Sequence, residues 1–207
     1  MKKLLIPLFS LFLLSSPSVF ADDISDFEIE GISIGDSLLD YMTEDEILDE
    51  IERNKGHYLN LKEPEKYAEV IVFKDKSVYQ NISVKVKNNS SNKYVSKKNE
   101  KYEILSIRGQ IFYNNNFEGC ITKRDEIAEI LSGMFPNSQK NEYFYTSSVE
   151  PSGKSHIDQI DFEYASGDKA TIYCSDYEET WRIKGNFDEG INVSIKLKEI
   201  SSWLSNY

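Results

Sequence analysis

The chain is poor in the residues that build metal centres and nucleophilic sites. It has only two cysteines and two histidines among 207 residues, and these four lie far apart, at His57, Cys120, His156 and Cys174. Protein zinc sites draw their ligands from Cys and His side chains at short, regular spacings. The sequence therefore predicts no metal site and no cofactor.

Positive charge is scarce as well. The chain has 24 Lys and Arg against 35 Asp and Glu, which gives a net charge of −11. Binding of nucleic acid depends on clustered Lys and Arg that neutralise phosphates, and attraction to anionic membrane surfaces depends on similar clusters. The charge balance excludes nucleic acid as a partner. It predicts a soluble protein that stays monomeric by repulsion or that meets a cationic partner.

Long hydrophobic runs are also missing, apart from one at the N-terminus. Two lysines precede an almost continuously apolar segment, 4–14, and Val19 and Ala21 then form a small-x-small cleavage site. This is the layout of a secretory signal peptide, and the run is about half of the roughly 20 residues that span a membrane. We predict a signal peptide over residues 1–21 and no stable membrane insertion. The mature chain is expected in the bacterial periplasm or outside the cell.

The two cysteines have a simple interpretation in such a compartment. An even, isolated pair in an oxidising environment most often forms a disulfide bond. A bond between Cys120 and Cys174 would close a loop of about 54 residues and stabilise the fold by roughly 3–4 kcal/mol. The alternative is a metal-binding or nucleophilic pair.

Hydrophobic periodicity indicates the fold class. Alternation of apolar and polar residues predicts strands at 27–31, 69–74, 81–87, 102–113, 142–147, 157–164, 170–174 and 190–200. Helical spacing predicts helices at 43–53 and 121–135, the first with a Thr43–Glu46 capping box and the second capped by Thr122. We predict one α+β domain over residues 22–207, an antiparallel sheet of about six strands with two main helices packed on it.

The segment GISIGDSLLDY, 31–41, allows two interpretations. It contains the G-x-S-x-G pattern of a nucleophile elbow, which would make Ser33 the nucleophile and His156 the base of an exported serine-type hydrolase. An elbow follows a buried parallel strand, whereas the preceding FEIEG is short and acidic. The segment is better explained as a strand-to-helix turn, with glycines for backbone freedom and Asp36 or Ser37 as a cap.

The start of the mature chain also carries a resemblance. The segment DDISDFEIEGISIGDSLLDYMTEDEI, 22–47, resembles a family of small, uncharacterised secreted bacterial proteins with an F-x-I-E-G-x-S-I-G-D-S-x-L-D-Y opening. Those proteins carry a Cys before a helix, as in CITKRDEI here, and a second Cys in a strand-rich end. The resemblance implies a secreted protein and assigns no activity. The chain is also similar to small envelope proteins of the β-barrel assembly lipoprotein and β-lactamase-inhibitor type, but it lacks their lipid-attachment cysteine.

These observations favour a non-enzymatic binding or interaction module in the bacterial envelope. The expected partner is an envelope protein or a small ligand. Thirteen tyrosines and eleven phenylalanines leave open a small-ligand carrier with an aromatic-lined pocket, and Ser33 with His156 leaves open a hydrolase.

Overall fold

The computed structural model describes residues 24, 27–74, 77–88, 101–147 and 150–206. The predicted signal peptide lies outside these residues. The helices are α1 (Glu44–Asn54), α2 (Phe117–Met134), α3 (Glu179–Gly185) and α4 (Lys198–Leu204). The strands are β1 (Glu28–Ile29), β2 (Ile32–Ser33), β3 (Tyr67–Ile71), β4 (Asn81–Lys87), β5 (Ile104–Phe112), β6 (Gln139–Thr146), β7 (His156–Glu163), β8 (Lys169–Asp176) and β9 (Gly190–Lys196).

The strands confirm the predicted α+β class and exceed the predicted strand number. Within the described residues the main sheet has seven strands in the order β3-β4-β5-β9-β8-β7-β6, and each neighbouring pair is antiparallel. Two meanders, β3–β5 and β6–β9, therefore join where β5 pairs with β9. The first strand of each meander, β3 or β6, is left at an edge of the sheet.

One face of this sheet is apolar and carries the core. The register aligns one row across five strands, Val84, Ile107, Ile195, Ala170 and Phe162. All five are buried. Helix α2 packs across β7, β8 and β9 on this face, and the β1–β2 hairpin packs on β5. Two-residue alternation, interrupted by one register shift between β4 and β5 at Lys85 and Val86, sends the intervening positions to the opposite, polar face.

A smaller cluster covers one corner of the polar face. Helix α4 brings Trp203 against Tyr58 and Tyr67, with ring centroids 4.8 Å and 5.3 Å away. The indole N–H donates to the carbonyl of Glu63 at 2.8 Å. The strand predicted at 190–200 thus ends at Lys196, and a helix begins at Lys198.

Both predicted helices are present, and the second one begins earlier than predicted. The Thr43–Glu46 capping box of α1 is confirmed, because Thr43 N–H donates to the Glu46 carboxylate at 2.8 Å. Helix α2 begins four residues before the predicted start, and its cap is Asn116, whose side chain accepts from Gly119 N–H at 3.1 Å. The Thr122 hydroxyl instead donates to a carbonyl within the helix.

One predicted strand was wrong, and one helix was missed. The strand predicted at 27–31 is a hairpin of two short strands, since Glu30 and Gly31 adopt positive φ angles of 53° and 74° and reverse the chain. The prediction also missed α3, which follows β8 and begins at the cap residue Glu178. Neither element carries a long hydrophobic repeat that periodicity could detect.

The disulfide bond predicted between the two cysteines is present. Cys120 in the first turn of α2 is bonded to Cys174 in β8, with their Cα atoms 6.0 Å apart. Both residues are buried against the apolar face. The bond therefore ties the main core helix to the sheet.

Candidate functional site

The β3 edge of the sheet is closed by side chains of α1. Val72 N–H donates to the Ile82 carbonyl at 2.9 Å, so the backbone groups of Glu69 and Ile71 point away from β4. Ile71 N–H donates to the Glu50 carboxylate at 3.2 Å, and the Asn54 amide donates to the Glu69 carbonyl at 3.2 Å. Two buried side chains of the helix thus take the place of a neighbouring strand.

The β6 edge has no such cover among the described residues. Ser147 N–H donates to the Ser155 carbonyl at 2.8 Å, and antiparallel alternation then directs the backbone groups of odd-numbered residues toward β7. The groups that point outward belong to Lys140, Glu142, Phe144 and Thr146. No described side chain bonds to them. Seven of the eight residues of β6 are exposed.

Aromatic side chains occupy both faces of this open edge. Tyr143 and Tyr145 lie on the polar face, each 45% exposed, and Phe144 lies on the opposite face, 65% exposed. Phe144 stacks on the ring of His156 at 5.3 Å, and the Tyr145 hydroxyl donates to Gln159 at 3.0 Å. An exposed aromatic edge strand is a template for pairing with another chain.

The charged residues of β6 balance each other. Lys140 and Glu142 form an ion pair at 2.7 Å, and the strand has no further charged side chain. Natural proteins protect free edges with charges that point inward, with proline or with bulges. β6 contains no proline and pairs with β7 without a register shift. Lys140 is therefore the only protective lysine in the strand, and no proline or bulge supplements it.

The closed edge also holds a buried ion pair. The Glu69 carboxylate accepts from the Tyr58 hydroxyl at 2.7 Å and from the Lys85 ammonium at 3.3 Å, with Arg108 3.7 Å away. Burial alone would raise the pKa of this carboxyl. The Lys85 charge, then the Tyr58 hydroxyl and the Arg108 charge, outweigh burial and lower the pKa of the carboxyl to about 2.

The two residues of the hydrolase alternative do not lie together. Ser33 lies in β2, and the adjoining turn bonds to the first residue of β5 through Gly35 N–H and the Ile104 carbonyl at 2.8 Å. His156 begins β7, at the end of the sheet where β5 finishes. Ser33 and His156 therefore lie toward opposite ends of the sheet strands, and two strands, β9 and β8, lie between β5 and β7. Ser37 caps the 3₁₀ helix Leu38–Asp40, as the turn interpretation predicts.

Three grooves in the described part of the chain bear on the small-ligand alternative, and none of them is lined mainly by aromatic residues. One of these grooves has a volume of about 550 Å³ and is lined mainly by charged and polar residues of the β3–α4 corner. Its two aromatic residues, Tyr67 and Trp203, are buried and packed in the corner cluster. Within the described ranges, no group of three or more His, Cys, Asp or Glu could hold a metal ion, and no helix is long and apolar enough to cross a membrane.

Comparison of the chain with family models, curated proteins and solved structures finds no match. The resemblance in residues 22–47 therefore stays a prediction. The open edge was not recognised from the sequence, although its strand was predicted at 142–147. The pattern EYFYT, with aromatic residues on both faces and no buried alternation, is the one signal that could have indicated it.

Proposed function

We propose that the protein is an exported, non-enzymatic interaction module that binds an extended segment of a partner protein along β6. The observation that carries this proposal is the outward row of backbone N–H and C=O groups on Lys140, Glu142, Phe144 and Thr146, with no partner among the described residues. An extended chain matches such a row because its own donors and acceptors repeat at the same spacing. The segment would add an eighth strand to the sheet.

The side chains around the edge favour a particular chemistry. Tyr143 and Tyr145 on one face and Phe144 on the other would contact alternate side chains of the added strand, which supplies specificity beyond backbone pairing. The net charge of −11 opposes pairing of two copies of this chain and favours a basic segment of a different protein.

Export is supported by the N-terminal segment and by the cysteines. The predicted signal peptide would direct the chain across the inner membrane, and the Cys120–Cys174 bond is stable in an oxidising compartment. The proposed site of action is the periplasm or the extracellular space, where the chain is expected to be monomeric until it meets its partner.

The alternatives have less support. A serine hydrolase needs Ser33 and His156 within hydrogen-bond reach, which the strand register does not provide. A small-ligand carrier needs an enclosed apolar cavity of several hundred Å³. Two of the described grooves are open to solvent, and the more enclosed one beside Tyr58 has a volume of only about 70 Å³.

The test places a photo-crosslinking amino acid at Lys140 in the mature chain and expresses it in the native envelope. We expect a crosslinked partner peptide, identified by mass spectrometry, from the otherwise unchanged chain. Substitution Glu142→Pro removes one outward N–H and should abolish the crosslink, whereas the matched control Glu142→Thr keeps that donor and should retain it. A crosslink that survives in Glu142→Pro would overturn the proposal, as would one that joins two copies of this chain.

A further inference from the structure

The polar face of the sheet has positive charge at its centre, unlike the chain as a whole. In the strands, the charged side chains of this face comprise five cations and three carboxylates, namely Lys85, Lys87, Arg108, Lys169, Lys196, Glu69, Asp161 and Glu163. The corner cluster around Trp203 covers only one end of the face. Arg108 and Lys196 stay partly accessible.

Most of these charges are already paired. Lys85 contacts Glu69 at 3.3 Å. Lys169 contacts Asp161 at 3.1 Å and Glu163 at 3.5 Å. Lys87 forms an ion pair with Glu103, the residue that precedes β5. The carboxylates are thus engaged by lysines at the two sides of the face.

The two remaining cations lie at the centre of the face. Arg108 forms a long ion pair with Glu69 at 3.7 Å and a hydrogen bond with the Tyr173 hydroxyl, whereas Lys196 forms no ion pair within 4.0 Å among the residues that the structure describes. Burial lowers the pKa of Lys196, the nearby Asp161 carboxylate opposes this, and the charges of Lys169 and Lys85 lower it further. An anion bound beside Lys196 would relieve that imbalance.

Hydroxyl groups fill the positions between these cations. The register pairs Ser106 with Lys196 and Arg108 with Ser194, so the two cations are diagonal neighbours across β5 and β9. Such neighbours lie about 7–8 Å apart at the backbone, within reach of one small ligand for long side chains. Ser83 is paired with Arg108 on the other side, is 3% exposed, and its hydroxyl has no hydrogen-bond partner among the described residues.

We propose that this centre is an oxyanion-binding site, in which Arg108 and Lys196 bind a carboxylate or phosphate group of a ligand. The Arg108 guanidinium supplies two parallel N–H donors, the geometry that recognises planar carboxylates and phosphates. Lys196 supplies a point charge from the neighbouring strand, and the Ser194 hydroxyl donates between them. The site lies on the face of the sheet, and β5, which carries Arg108, is four strands away from β6. Anion binding at the site does not depend on strand addition at β6.

The experiment titrates the ¹⁵N-labelled mature protein with sodium phosphate and, separately, with sodium acetate, with NaCl adjusted to keep the ionic strength constant. We expect saturable shifts of the Arg108 side-chain Nε–H and of the Ser194 and Lys196 amides. Tighter saturation by phosphate indicates a phosphorylated ligand, and tighter saturation by acetate indicates a carboxylate ligand. Saturation by neither anion overturns the proposal.

Two substitutions test the assignment of residues. Arg108→Gln and Lys196→Gln should each weaken the binding about tenfold or more, because each removes a charge-assisted hydrogen bond. Lys184→Gln makes the same charge change at an exposed position on α3 and should leave the affinity unchanged. Arg108→Lys keeps the charge and should recover part of the affinity, and its amide spectrum provides a check on folding.

Equal weakening in Lys184→Gln would show that only the overall charge matters and would overturn the site. Retention of the wild-type affinity in both Arg108→Gln and Lys196→Gln would also overturn it. The Glu142→Pro variant should bind the anions normally, so failure of strand addition at β6 and failure of this site are distinguishable.

Discussion

At the β3 edge, the outward N–H of Ile71 and C=O of Glu69 meet two buried side chains of α1, whereas at the β6 edge the equivalent groups of Glu142 meet no described side chain. Both edges belong to one antiparallel sheet and have equivalent backbone geometry. The difference lies in what the chain places beside them. A helix with a polar residue at each facing turn closes the first edge, and the second edge is left as a template for another chain.

Removal of the disulfide bond should destabilise the protein most. This bond joins α2 to β8, in the half of the sheet whose edge strand, β6, has no covering helix among the described residues. The double substitution Cys120→Ala and Cys174→Ala should therefore lower the free energy of unfolding by about 3–4 kcal/mol. Urea unfolding at neutral pH measures this loss. Amide exchange should accelerate more in β7 and β8 than in β3 and β4, and uniform acceleration across the sheet would contradict the division into two halves.

Proline substitutions along β6 compare its inward and outward positions directly. Tyr143→Pro removes an N–H that bonds to β7 and leaves a carbonyl of β7 without its donor, so it should destabilise the fold by about 1–3 kcal/mol. Glu142→Pro removes an outward N–H with no partner in the sheet and should change stability by less than about 1 kcal/mol. Chemical denaturation of the two variants measures the difference. Equal losses would show that the outward groups of β6 are not free.

The closed edge should open when its capping carboxylate is removed. Glu50→Ala leaves the Ile71 N–H buried without an acceptor, and we expect a loss of about 1–3 kcal/mol. The amide of Ile71 should then exchange as fast as that of Glu142 in the wild-type protein. Glu52→Ala is the matched control on the exposed face of the same helix and should change stability by less than about 0.5 kcal/mol. Slow exchange of Ile71 in Glu50→Ala would show that α1 is not what closes this edge.

Acid should loosen the closed edge without a matching effect at the open one. The pKa of Glu69 is lowered from 4.5 to about 2 in the folded protein, so its stabilisation is complete above about pH 4.5 and is lost as the pH falls toward 2. Tyr58→Phe removes a hydrogen bond to the carboxylate, which should cost about 1 kcal/mol at neutral pH and move the acid loss to higher pH.

Urea unfolding between pH 2 and pH 7 measures both effects. The control is Tyr143→Phe, which removes a hydroxyl from the open edge and should leave the acid profile unchanged. An identical shift in both variants would mean that the profile does not report on Glu69.

Sequence reasoning recovered most of the local structure because the signals for it are local. Strand β4 was predicted with its observed bounds, 81–87, and the capping box of α1 was read from two residues. The start of α2 was misplaced because an asparagine cap competes with a threonine cap, and propensity alone does not choose between them. Helix α3 was missed because seven residues carry too little periodicity.

The candidate sites were much harder to predict because they depend on strand order. The outward groups of β6 and the diagonal of Arg108 and Lys196 exist because β5 pairs with β9, residues that are far apart in the sequence. Hydrophobic alternation says which face a residue takes but not which strand becomes its neighbour. The motif that sequence reasoning singled out, Ser33 with His156, failed to come together for the same reason.

Sequence alone was enough to predict most of the secondary structure, the acidic balance and the pairing of the only two cysteines, because each depends on nearby residues or on a single possible combination. The tertiary structure alone decided which strands form the edges, which edge a helix covers and which cations meet on the polar face. These outcomes depend on long-range pairing, where backbone hydrogen bonds are alike for every strand and side-chain packing selects the order.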